Sequence, residues 1–303
     1  MMTPQGESHG QEPISGAGPA VVTRFAPSPT GPLHLGHAFS AVLAHDFARA
    51  WGGRFLLRIE DIDGTRSRPE HVAGIVEDLA WLGLAWDGEV VFQSQRLALY
   101  AEALARLRAM GLLYPCFCTR KDIAASASAP HGPEGLVYPG TCRGLSADEQ
   151  ARRMAVEPHA WRLDMAKAVA RIPTALEWSD HGKAIPAEPG PFGDVVLARK
   201  DAPVSYHLAV TVDDAVQGVT DVVRGADLFA ATHVHRLLQA LLGLPTPLYH
   251  HHKLIAGPDG ERLAKRHGAV ALAELRASGA DPAQIVAALR EGRLPAGYFA
   301  AEA

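Results

Sequence analysis

Apolar positions along the chain change their spacing several times, and each change predicts an element. Residues 21–25 read Val-Val-Thr-Arg-Phe, a β-branched and aromatic run that predicts a short strand. Pro27, Pro29, Gly31 and Pro32 then force a loop. Residues 36–51 are helix-compatible, and Gly52-Gly53 stops them. Residues 54–60, rich in Phe, Leu and Ile, predict a second strand. Val72, Ile75, Val76, Leu79 and Leu82 then recur at helical spacing, closed by Gly83, with Ser67 and Glu70 at capping-box spacing ahead of them. Residues 95–110 predict a third helix ended by Gly111. Residues 204–216 and 219–223, dense in valine, read as strands returning to the sheet. Residues 232–242 predict a helix stopped by Gly243. Residues 271–289 predict two more, the second opened by Asp281 as its cap and Pro282 in its first turn. This alternation of strand and helix points to an α/β domain with a mostly parallel sheet.

Two stretches break the pattern. Residues 114–144 hold all three cysteines beside a Pro/Gly/Ser/Ala-rich segment and read as an insertion between two halves of a core. Residues 145–194 carry Pro186, Pro189 and Pro191, which suit edge strands and turns. Residues 1–20 are polar and glycine-rich, lack the apolar stretch of a signal peptide, and are expected to be a disordered tail.

Composition narrows the classes. With 303 residues and 48% hydrophobic content, the chain can bury one large core. A net charge of −4 excludes a globally basic nucleic-acid binder but leaves room for local basic patches. No apolar run reaches the length of a membrane span. Three cysteines make a poor disulfide framework and suit a reducing, cytoplasmic setting. Nothing in the sequence calls for more than a monomer.

The first candidate chemistry is His34-Leu35-Gly36-His37, between a strand and a helix start. Amides at a helix N-terminus favour a phosphate, and Gly36 lets a nucleotide approach the backbone closely. His34 and His37 can both donate to a phosphate whose charge grows in a transition state. Two histidines at this spacing equally suit a packed core pair or half of a metal site. The second candidate is Cys116-Phe117-Cys118 with Cys142 from a following loop: three thiolates able to surround a tetrahedral zinc, or three unmetallated thiols. The run His250-His251-His252 is expected to be a solvated or partly packed strand, since consecutive histidines do not converge on one ion.

The residues before the histidines settle the first case. The run Arg24-Phe25-Ala26-Pro27-Ser28-Pro29-Thr30-Gly31-Pro32-Leu33-His34-Leu35-Gly36-His37 resembles the signature of the glutamyl- and glutaminyl-tRNA synthetases, a class I aminoacyl-tRNA synthetase family. The resemblance extends over residues 21–290. It includes Arg58-Ile59-Glu60-Asp61-Ile62-Asp63, where Ile62 stands at a usual threonine, and Tyr206-His207-Leu208-Ala209. Val212-Asp213-Asp214 and Val222-Val223-Arg224-Gly225-Ala226-Asp227 belong to it as well. Arg262-Leu263-Ala264-Lys265-Arg266 occupies the place of the family's Lys-Met-Ser-Lys-Ser loop, with Ala264 for the usual serine.

The resemblance implies a Rossmann-like class I catalytic core over residues 21–303, with a small zinc insertion at 114–144 and a helical C-terminal part at 268–303. It implies ATP with Mg²⁺, bound through His34, Gly36, His37 and Lys265, with His34, His37 and Lys265 acting in catalysis. It implies an L-glutamate site formed by Arg24, Phe25, Ala26, Pro27, Ser28, Glu60, Tyr206 and Arg224. Charge agrees: glutamate presents two carboxylates and one ammonium. Arg24 and Arg224 can take carboxylates in bidentate fashion and Glu60 the ammonium, with hydrogen bonds from Tyr206 and Ser28. The commoner fate of an arbitrary arginine is a structural or surface ion pair. Small members of the family use a tyrosine where this chain has Tyr138, which implies zinc on Cys116, Cys118, Tyr138 and Cys142; His131 is the alternative fourth ligand. Only residues 267–303 follow the lysine loop, which is expected to leave out the large anticodon-binding region. The family's short forms transfer glutamate to the queuosine base of tRNA(Asp), the partner this implies. A minimal synthetase charging tRNA(Glu) and a non-catalytic tRNA-binding paralogue are the other readings.

Overall fold

The structure is a computed structural model that describes residues 20–124, 131–133, 135–256, 270–291 and 299–301. The first half runs β1 (Val22–Phe25), α1 (Leu35–Ala50), β2 (Arg54–Ile59), α2 (Pro69–Trp81), β3 (Val91–Phe92) and α3 (Leu97–Ala109). Next come β4 (Leu113–Cys116), α4 (Arg120–Ala124), β5 (His131–Gly132), β6 (Gly135–Leu136), α5 (Ala147–Met154), β7 (Ala160–Leu163) and α6 (Met165–Ala170). The hairpin β8 (Glu177–Asp180) and β9 (Lys183–Pro186) precedes β10 (Val196–Ala198), α7 (Tyr206–Val216), β11 (Asp221–Gly225) and α8 (Ala231–Leu242). The chain then forms β12 (Leu248–His252), β13 (Leu254–Ala256), α9 (Leu272–Ala277), α10 (Pro282–Arg290) and β14 (Phe299–Ala301).

β1, β2 and β3 pair in parallel, as do β11, β12 and β8. The two halves meet edge to edge, where the Thr220 amide donates to Val22 O at 3.0 Å. Both β1 and β11 are buried along their whole length, as parallel strands covered on two faces must be. The C-terminal ends of β1, β2 and β11 therefore deliver Arg24, Glu60 and Arg224 to one edge of the layer, where open α/β sheets bind their ligands. One core packs β1 and β2 against α1, α2 and α10 through Val42, Phe55, Leu57, Leu79 and Leu289. A second joins α3, α7 and α8 through Leu107, Leu208 and Leu238. An antiparallel sheet ordered β10-β7-β4 carries the cysteine-rich insertion. Among the described residues no helix is long and apolar enough to cross a membrane.

Two expectations are corrected. The valine-rich stretch 204–216 is not a strand; α7 occupies most of it. Residues His207 through Asp214 of that helix are all buried, so it has no polar face to reveal a helical period, and its β-branched residues imitate a buried strand. The Ser67–Glu70 capping box does not form either. Arg68 is the N-cap of α2, without a side-chain cap, and Pro69 fixes the first turn. By contrast, α8 ends at Gly243 in the left-handed conformation and Asp281 caps α10, as the sequence predicts.

Asp78 of α2 is only 1% exposed, and its Oδ1 accepts no hydrogen bond. Burial pushes its carboxyl up to about 6, with Arg276 of α9 opposing and Glu77 adding to the rise. A raised folded pKa means that the ionised form costs stability above about pH 6 and that the cost vanishes below the ordinary carboxylate range. Asp78→Asn should therefore stabilise the protein by about 1–3 kcal/mol at pH 8 and by less at pH 5, measured by urea denaturation at both values.

Candidate active site

The helix cap at the start of α1 is built from the two signature histidines. His34 is the N-cap, and its Nδ1 accepts from the Gly36 amide at 3.1 Å. His37, three residues on, accepts the His34 amide on its own Nδ1 at 3.2 Å. This is a capping box in which imidazoles replace the usual hydroxyl and carboxylate. With both Nδ1 atoms accepting, each neutral ring carries its proton on Nε2. The rings lie 3.9 Å apart between centroids. A Cβ on Gly36 would come to 3.0 Å from His34 Cε1, so a larger residue there would press on the capping ring.

Arg24 and Arg224 are each 5% exposed. Neither presents a bare fork. Arg24 donates Nε and Nη2 to Asp214 at 3.1 and 3.4 Å. Arg224 donates Nε to His251 Nε2 at 3.1 Å, Nη1 to the Tyr206 hydroxyl at 3.3 Å and Nη2 to Thr232 Oγ1 at 2.6 Å. Glu60 accepts from Arg58 Nη2 at 3.3 Å. Burial raises the Glu60 carboxyl, and Arg58 and Arg24 pull back against that rise without cancelling it. A cation brought beside it would favour its ionised form. Burial pushes the Tyr206 phenol up to about 12, so it keeps its proton.

All eight residues expected around glutamate, together with His34, Gly36 and His37, line one cavity of about 580 Å³. Ser28 lies at its exposed side, and Thr30, Ser40, Asp227 and His252 contribute further polar atoms. Lys265 and the rest of the loop around it lie outside the described residues, as does nearly all of the N-terminal tail. The cavity has room for a nucleotide and an amino acid together.

Behind the cavity runs a buried charge network whose pairing the motifs do not reveal, although Arg58, Asp213 and Asp214 lie within them. Arg58 is fully buried and donates Nη1 to Asp214 Oδ1 at 2.8 Å and to Gln217 Oε1 at 2.8 Å. Asp213 accepts from Gln93 at 2.9 Å, Arg96 at 2.7 Å and Tyr100 at 2.8 Å, tying α3 to α7. The signal available was the pair Asp213-Asp214 inside an apolar run, since buried carboxylates must be paired. The three histidines of β12 go three ways: His250 to Asp221, His251 to Asp180 and Arg224, His252 to Ser40. The strand is partly packed, and the three rings turn to separate partners. Burial, then Arg224, pushes His251 down to about 4, so its neutral ring accepts from the guanidinium.

In the insertion, Cys116, Cys118 and Cys142 place their sulfurs within 4.8 Å of one another. Cys118 and Cys142 Sγ are 3.6 Å apart, and the Tyr138 hydroxyl lies 3.5 Å from Cys118 Sγ. Tetrahedral zinc would set these separations at roughly 3.8 Å for two sulfurs and roughly 3.5 Å for sulfur and oxygen. The Phe117 amide donates to Cys142 Sγ at 3.5 Å and the Cys142 amide to the Tyr138 oxygen at 2.8 Å, orienting the donors. The donor set fits a metal ion. The side chain of His131 lies outside the described residues.

Fold and cavity together define a class I synthetase core. Residues 20–296 match the family model for the tRNA synthetases class I (E and Q), catalytic domain, and the chain belongs to that family. Among its relatives are the glutamyl-Q tRNA(Asp) synthetases of Rhodobacter capsulatus and Nocardia farcinica. The first is 53% identical over 88% of this chain and 98% of that protein. The second is 50% identical over 92% and 85%. A solved glutamate-tRNA synthetase from Elizabethkingia anophelis superposes with a TM-score of 0.68 at 29% identity over 82% of this chain, which spans 53% of that protein's length.

Proposed function

We propose that the chain activates L-glutamate with ATP and transfers the glutamyl group to the queuosine base in the anticodon of tRNA(Asp). The observation that carries the activation step is the convergence of Arg24, Glu60, Tyr206, Arg224, His34 and His37 on one cavity. The α-carboxylate of glutamate attacks the α-phosphorus of ATP, pyrophosphate leaves and glutamyl-adenylate forms. No enzyme nucleophile is needed, so positioning and charge stabilisation do the work. Glu60 takes the ammonium. Arg224, held by His251, Thr232 and Tyr206, takes a carboxylate, and Arg24 adds positive charge beside it. Two buried guanidiniums suit glutamate better than neutral glutamine. The Nε2 protons of His34 and His37 serve the phosphates, and Lys265 adds a further positive charge for them. Mg²⁺ arrives with ATP and shields its charge.

The acceptor is supported by the names that the two relatives carry. Labelled glutamate, ATP and protein should be incubated with tRNA(Asp) with and without queuosine, and with tRNA(Glu). Label confined to queuosine-bearing tRNA(Asp) is expected. Label on tRNA(Glu) would instead make the chain a minimal charging synthetase, and no label anywhere would favour a non-catalytic binder. The insertion is proposed to hold one structural zinc on Cys116, Cys118, Cys142 and Tyr138. Metal analysis of protein prepared without chelators should find about one zinc per chain, and a near-zero content would end that assignment.

A further inference from the structure

Arg224 reaches the cavity from β11 with most of its guanidinium engaged. Nη2 donates to Thr232 Oγ1 at 2.6 Å and to Leu228 O at 3.0 Å, and Nη1 to the Tyr206 hydroxyl at 3.3 Å. Nε donates to His251 Nε2 at 3.1 Å. Among the described residues these bonds leave a single Nη1 proton for a ligand. The guanidinium is planar, so the partners of Nε and Nη2 fix where that proton points. Three of the partners are oxygens, which always have a lone pair to offer. An imidazole nitrogen accepts only in the tautomer that leaves it bare.

What selects that tautomer lies behind the cavity. Asp180 ends β8 and does not line the cavity. Its Oδ1 accepts from His251 Nδ1 at 2.9 Å and from the His251 amide at 3.1 Å. A carboxylate accepts and does not donate, so the ring proton sits on Nδ1 and Nε2 is bare for Arg224. His34 and His37 hold the opposite tautomer. Trp178 and Phe229 pack edge-on against the His251 ring, with centroids 5.8 and 5.1 Å away, and oppose a ring flip.

Asp180 is itself braced. It pairs with Tyr249 across β8 and β12, and the turn into β9 is pinned by His181. The His181 amide donates to Tyr249 O at 2.9 Å, and its Nε2 donates to His251 O at 2.9 Å. His181 has φ 48°, the one non-glycine among the described residues in the left-handed region. A residue with a Cβ adopts that conformation at a cost, and it persists where the surroundings over-determine it.

We propose that Asp180 and His251 form a relay that aims Arg224 at the glutamate carboxylate, with the β8–β9 hairpin as the brace behind it. This rests on the glutamate site proposed above. Asp180 is a positioning residue: it acts through His251 on Arg224. Without it the ring is free to carry its proton on Nε2, facing the Arg224 Nε proton. Two donors repel, and the guanidinium swings off its aim.

Two variants separate this role from a purely structural one. Asp180→Ala removes the acceptor. Asp180→Asn keeps it, because the His251 amide holds the asparagine oxygen towards the ring. Equilibrium dialysis should show glutamate binding weakened about tenfold in Asp180→Ala, the size of one lost hydrogen bond, and within about threefold of the parent in Asp180→Asn. ATP binding should be unchanged in both. NMR of the imidazole nitrogens, with His251 assigned by its loss in His251→Gln, should find the parent proton on Nδ1 and part of it moved to Nε2 in Asp180→Ala. A parent ring protonated on Nε2, or parental glutamate affinity in Asp180→Ala, would overturn the relay. So would equal weakening of glutamate and ATP, since a general loss of structure does not choose between ligands. Pyrophosphate exchange by the parent is a separate readout. Its absence beside glutamate binding that depends on Asp180 would sink the activation reading and leave the relay standing; a parent that binds no glutamate would end both.

Discussion

Replacing His37 with alanine should slow glutamyl-adenylate formation by about 10²–10³-fold while glutamate affinity changes by less than about twofold. The asymmetry follows from where the ring sits. His37 caps α1 through Nδ1, which leaves the proton of a neutral ring on Nε2, and it lines the cavity beside His34 and Gly36. The proposed glutamate ligands Arg24, Glu60 and Arg224 are held by Asp214, Arg58, His251 and Thr232 instead. Loss of the cap alone costs about 1 kcal/mol of helix stability and would act on folding rather than on rate. The two effects separate with His37→Gln. Glutamine at this third helical position is a normal capping-box partner, so that variant should regain stability yet stay slow. Pre-steady-state pyrophosphate release, with glutamate affinity from equilibrium dialysis, measures both. A fast alanine variant would remove His37 from the chemistry.

Asp214→Ala should produce the largest stability loss, about 3–5 kcal/mol, because it strips the shared counter-ion from two buried guanidiniums. Arg58 is fully buried and Arg24 nearly so, and both donate to this carboxylate. Burial alone would raise the Asp214 pKa; Arg24 and Arg58 overcome it and hold the group below its ordinary range. A depressed folded pKa contributes stability above the unfolded value near 3.9 that is lost as pH falls through the folded one. The parent should therefore lose this contribution only in acid, whereas the variant lacks it at neutral pH. Urea denaturation between pH 3 and pH 7 should show the two curves converging at the acid end. The variant should also bind glutamate more weakly, since Arg24 would lose the partner that fixes it.

The candidate site was more legible in the sequence than the elements that carry it. Arg24, Glu60, Arg224 and both histidines sit at the ends of strands or the start of a helix, where motif spacing and three-dimensional position coincide. α7 hid because it is buried on every side, which erases the period that marks a helix. The network of Arg58, Asp213, Asp214 and Arg96 hid for a different reason: its members come from β2, α3 and α7 or the segments beside them, and their pairing exists only after packing. The partners of Arg24 and Arg224 were hidden on the same ground. Sequence shows a guanidinium but not Asp214, His251 or Thr232 already engaging it.

Activation of glutamate by ATP is the claim on which the rest stands, and pyrophosphate exchange without any tRNA tests it directly. The cavity predicts exchange that depends on glutamate, falls sharply when glutamine replaces it, and is lost in Arg224→Ala. No exchange at saturating glutamate, or equal exchange with glutamine, would contradict it.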